Sequence, residues 1–89
     1  VQENIKLALR QLTLKDLQNL SEINDLQISY EDLVILNYLL TTHWDQIMDD
    51  ASLTLKETAL TPYAIPETIL KYREIITLIK RNIIFKGRF

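Results

Sequence analysis

His43 lies close in sequence to Asp45, Asp49 and Asp50. An imidazole and carboxylates are what a zinc or manganese centre takes as ligands. The spacing works against such a centre. His43 and Asp45 are two residues apart, so on a helix they point about 200° from each other at ~100° per residue. There is no HExxH pair and no Asp-rich calcium loop, whose turn would need a glycine this segment lacks. The expectation is a solvated acidic segment with no metal and no cofactor. Aspartates near a helix C-terminus oppose the dipole, which is why the group is worth locating.

Other chemistry finds less support. The hydroxyl residues are better explained as helix caps or connector residues, and the single histidine has no arranged partner in sequence. The chain holds one glycine, so no glycine-rich loop can cradle a phosphate. It holds no cysteine, which removes disulfides, thiolate metal sites and cysteine nucleophiles. An enzyme is not expected, nor a small-molecule substrate. Residues 17–36 have the outline of a helix-turn-helix. Its reading helix, from Tyr30 to Leu40, contains Glu31 and Asp32 and no lysine or arginine, so it is unsuited to phosphates.

Charge is divided unevenly. The net charge is −2, but residues 1–70 carry −7 and residues 71–89 carry +5. Lys80, Arg81, Lys86 and Arg88, interleaved with Phe85 and Phe89, form the candidate site for a polyanion, either nucleic acid or an anionic membrane surface. The plainer reading has this charge satisfied inside the domain or solvated on a helix face.

The elements that position these residues are helical. Two prolines, one glycine and many Leu and Ile residues suit long helices better than sheet. Leu12-Thr13-Leu14-Lys15-Asp16-Leu17 is matched sixteen residues on by Ile28-Ser29-Tyr30-Glu31-Asp32-Leu33. Each offers a hydroxyl cap, an acid three residues later and a hydrophobic staple. Helices are therefore expected to start at Leu14 and Tyr30. Thr54-Leu55-Lys56-Glu57 reads as a third capping box. Pro62 and Pro66 bracket an extended connector, and Pro66 suits a first helical position.

The predicted helices span 2–11, 14–24, 30–49, 55–60 and 66–84, followed by a basic tail at 85–89. The third is expected to run through Thr41-Thr42 rather than bend there. Residues 83–85 could alternatively form a short strand. In the last helix Ile69, Tyr72, Ile76, Ile79 and Ile83 recur at +3, +4, +3, +4, nearly a coiled-coil seam. The expected fold is all-α: a single-domain, compact bundle of four to five helices around Leu17, Leu20, Leu33, Leu36, Leu40, Ile69, Ile76 and Ile79. No apolar run approaches the ~18 residues of a membrane span, and no signal-peptide pattern is read. The absence of cysteine fits a cytoplasmic setting.

Residues 4–50 resemble the YqfT-like family of small uncharacterised proteins from bacilli. The resemblance lies in Asn4-Ile5-Lys6, the two staple-and-cap segments, and an apolar helix ending near Gln46-Ile47-Met48. The C-terminal half departs from it, with its two prolines and basic tail. The resemblance implies a bacterial helical protein and brings no activity or site.

The first functional expectation is a non-catalytic protein-interaction module. Apolar residues at Ile75 and Leu78 widen the arc of the last helix beyond its seam. Ile75, Leu78, Ile79 and Ile83 are therefore the candidate partner-binding residues, for a homodimer or another protein's helix. Tyr38, Trp44 and Tyr72 are either core or, where exposed, anchors for a partner. Polyanion binding at 71–89 is the alternative.

Overall fold

The computed structural model describes residues 2–49 and 51–86. They form α1 (Gln2–Arg10), α2 (Leu14–Ile23), α3 (Tyr30–Thr42), α4 (Trp44–Ile47), β1 (Met48–Asp49), β2 (Thr54–Leu55), α5 (Glu57–Leu60) and α6 (Pro66–Lys86). The fold is an all-α globule carrying one small two-stranded hairpin.

Local signals set the helix starts. The Thr13 hydroxyl accepts from the Asp16 amide, and the Asp16 carboxylate accepts from the Thr13 amide, both at 3.1 Å. This reciprocal box satisfies two donors that have no partner within a helix. At α3, the Ser29 hydroxyl accepts from the Asp32 amide at 3.2 Å.

α2 ends without a glycine. Asp25 takes the left-handed conformation at φ 52°. The Leu26 amide then reaches the Ser21 carbonyl at 3.0 Å, and the Asp25 amide reaches that of Glu22 at 3.2 Å. These two bonds are a Schellman motif, completed by burial of Leu26. Asp25 is exposed and left-handed, so Asp25→Gly is expected to stabilise the fold by about 0.5–1 kcal/mol. A urea titration reads this; an unchanged or lower midpoint would refute it.

The third helix is shorter than its sequence suggests. It ends at Thr42, and His43 leaves the helical region at φ −122°, ψ 34°. The Thr41 hydroxyl bonds back to the carbonyls of Asn37 (2.9 Å) and Tyr38 (3.2 Å). Two adjacent β-branched residues make this a weak point, but tertiary packing decides it. Had the helix continued, Met48 would stand in line with Tyr30 on the outer face, since ~18 residues make about five turns. The break lets Trp44, Ile47 and Met48 all enter the core.

The expected third capping box does not form. Thr54 and Leu55 pair instead with Asp49 and Met48 as β2 and β1. The Thr54 hydroxyl lies 2.7 Å from that of Ser52, and Lys56 caps α5 with no side-chain bond. Pairing also carries Leu53 into the core, at a left-handed φ of 55°. That burial outweighs the local capping preference.

α6 is the central element. Ile69, Tyr72, Ile75, Ile76 and Ile79 are buried along it, under α1, α2 and β2. Residues 83–85 continue this helix. The expected core residues are all buried except Leu20, which is partly covered. Two long-range bonds tie the layers together. Asn37 Nδ2 donates to the Leu12 carbonyl at 2.8 Å, and the Tyr72 hydroxyl donates to the Asp32 carbonyl at 2.6 Å.

Candidate functional site

The proposed partner face of α6 is largely used up inside the protomer. Ile75 and Ile79 are fully buried, and Leu78 is partly buried against the core. These residues are therefore not a free surface. α6 is packed by α1, α2 and β2 together, so the covered arc is wider than a single antiparallel neighbour would make it. Ile83 lies in α6, but its side chain is outside the described residues.

Among the described residues, an exposed apolar face appears on α3 instead. Tyr30, Val34 and Tyr38 lie at i, i+4 and i+8, and they are 56%, 39% and 51% exposed. They form one line on the side facing away from Leu36 and Leu39, which are buried. α3 is thus apolar on both sides but embedded on only one. The Tyr38 ring meets His43 edge-on, with centroids 5.0 Å apart. Of the three large aromatics singled out in the sequence, Trp44 and Tyr72 are core and Tyr38 is exposed. The signal for this line was present as a four-residue spacing of bulky residues; the leucine face of the same helix obscured it.

The basic residues of α6 split by role. Lys71 donates to the Gln27 carbonyl at 3.0 Å, and Lys80 to the Leu53 carbonyl at 2.9 Å. Both accepting residues are left-handed, at φ 58° and 55°. Two lysines of one helix thus hold two turns whose backbones cost energy to form. Arg73 Nη1 lies 3.5 Å from Glu57 Oε1. Arg81 is exposed. The Lys86 side chain and Arg88 lie outside the described residues, so the proposed polyanion set is seen only at Lys80 and Arg81.

A groove of about 320 Å³ lies between the hairpin, α5 and α6. Thr54, Leu55, Glu57, Arg73, Ile76, Thr77 and Lys80 line it. Sequence reading did not join these residues, because Thr54 and Arg73 are nineteen positions apart and meet only through the hairpin.

Around His43 the acids are otherwise engaged or dispersed. The Asp49 carboxylate accepts from the Ala51 amide at 2.9 Å and shapes the hairpin turn. Asp50 lies outside the described residues. Among the described residues, no group of three His, Cys, Asp or Glu side chains is placed to hold a metal. No described helix is long and apolar enough to cross a membrane. No protein-family profile, curated protein or solved structure matches this chain.

Proposed function

We propose that this chain is a non-catalytic helical interaction module that pairs through the outer face of α3, with a second copy of itself as the partner. The observation that supports this is the exposed line of Tyr30, Val34 and Tyr38. Single exposed apolar residues are ordinary, but three along one helical ridge are not scattered. Rows at i±4 are the ridges that pack into the grooves of another helix, at crossing angles near −50°. Tyrosine suits such a surface because it presents a large ring at small entropic cost. A two-fold dimer would set this ridge against its own copy. We assign the cytoplasm as its compartment, since a cysteine-free helical domain gains nothing from an oxidising one. The proposed kinship with YqfT-like proteins is compatible with this reading and adds no activity to it.

Sedimentation equilibrium over a wide concentration range tests the proposal. The wild type should associate, and Val34→Lys should raise the dimer dissociation constant at least about tenfold, equivalent to ~1.4 kcal/mol. Val34 is exposed, so the variant should melt at an almost unchanged temperature once dissociation is accounted for. A wild type that remains monomeric at millimolar concentration would overturn self-association through α3.

A further inference from the structure

We propose that the groove between β2, α5 and α6 is a binding site for a phosphate-bearing small molecule, whose phosphate is taken by Arg73 and Lys80. The site shares no residue with the α3 line and stands independently of the function proposed for it.

Three features of the groove converge on an anion. First, Arg73 and Lys80 stand on one face of α6, with Thr77 between them giving its hydroxyl proton to the Arg73 carbonyl at 2.9 Å, so a guanidinium and an ammonium face the same space. Second, neither cation is exhausted by its present partner. Lys80 gives one N–H to Leu53 and retains two donors, and that bond holds its ammonium in place. Arg73 meets Glu57 at 3.5 Å with both side chains about half exposed. A surface pair of that kind is weak, whereas a phosphate offers the guanidinium a two-pronged contact. Third, a hydroxyl stands at the rim. Thr54 lines the groove 2.7 Å from the Ser52 hydroxyl, and with Ser52 as donor of that pair the Thr54 proton is left for a ligand.

The groove is also shaped for more than a bare ion. Leu55 is half-buried beside the buried Ile76, giving a small apolar patch in an otherwise mainly polar lining. Its volume of about 320 Å³ sits at the small end of ligand sites. The other described clefts have the wrong sign. Those built on Asp32, Asp16 and Glu22 have no lysine or arginine among their described lining residues.

Glu57 makes the proposal sharply testable, because it competes with the ligand for Arg73. The probe is sodium pyrophosphate, titrated into the full chain while backbone amide resonances are followed. Saturable shifts are expected at Thr54, Arg73, Thr77 and Lys80. Arg73→Gln should weaken binding about tenfold, as loss of a charge-assisted contact does. Glu57→Gln should do the reverse and tighten binding at least about threefold, by freeing the guanidinium and removing a repulsive charge. Both positions are exposed, so neither variant should disturb the fold. Lys80 is left intact because it also holds the hairpin turn. Shifts that never saturate, or a Glu57→Gln variant that binds no better than wild type, would overturn the site. A single-stranded RNA that binds more tightly than pyrophosphate at equal phosphate concentration would overturn its assignment to a small molecule.

Discussion

Ile79→Lys is expected to unfold the protomer. Ile79 is fully buried at the centre of α6. Removing its side chain from the core forfeits about 2–3 kcal/mol of apolar burial. Placing an ammonium there without a partner adds several kcal/mol more, or forces the lysine to give up its proton. A domain of this size holds in total only about 5–10 kcal/mol. Circular dichroism should therefore show loss of the cooperative melt, or a fall in melting temperature of at least about 20 °C, at roughly 4–8 °C per kcal/mol. Leu70→Lys is the control. It lies on the same helix but is 57% exposed, and it should change stability by no more than about 0.5 kcal/mol. A folded Ile79→Lys protein that has merely lost its oligomer would contradict the burial described here and restore α6 as an interface.

Tyr72 is the second pressure point, and its variants separate packing from hydrogen bonding. Its ring is fully buried, and its hydroxyl donates to the Asp32 carbonyl at 2.6 Å, joining α6 to the first turn of α3. Tyr72→Ala should cost about 3–5 kcal/mol through the cavity it leaves. Tyr72→Phe keeps the ring and should cost about 1–2 kcal/mol for the lost bond. The hydroxyl also predicts a pH dependence. Burial, with a smaller contribution from the Asp32 charge, pushes the Tyr72 phenol above the usual tyrosine range. The unfolded phenol therefore loses its proton at lower pH than the folded one. Below pH ~10 both states keep it and the contribution is fully present; above pH ~10 the unfolded state is favoured progressively. Stability measured by urea from pH 8 to 11 should decline at the alkaline end. Tyr72→Phe should flatten part of that decline, and equal slopes for the two proteins would show that Tyr72 is not its source.

Some of this molecule was legible before any coordinates. The helix starts at Leu14 and Tyr30 were readable because a cap is settled within four residues, by a hydroxyl and an amide that meet wherever the chain folds. Pro66 marked the start of α6 for the same reason: its ring fixes one angle and donates no hydrogen bond. The +3, +4 recurrence of Ile69, Tyr72, Ile76 and Ile79 identified the buried seam, since periodicity is a property of the segment alone. The all-α class followed from these together.

Tertiary structure decided the rest, wherever two local preferences competed or coverage came from far along the chain. Thr54-Leu55-Lys56-Glu57 is a sound capping box by its own residues, yet Thr54 became a strand because Asp49 and Met48 offered a ladder and Leu53 a core position. The helix beginning at Tyr30 could have continued, and it broke at His43 because only a reversal buries Trp44, Ile47 and Met48 together. Ile75 was apolar in any reading. Whether it faced a partner or a neighbouring helix depended on how α1 and α2, more than fifty residues earlier in the chain, pack on α6. The groove of Thr54, Glu57, Arg73 and Lys80 follows the same logic. Its residues gain a common chemistry only when the hairpin folds onto α6, because charge and hydroxyl groups act on a ligand through distance in space and not through separation along the chain.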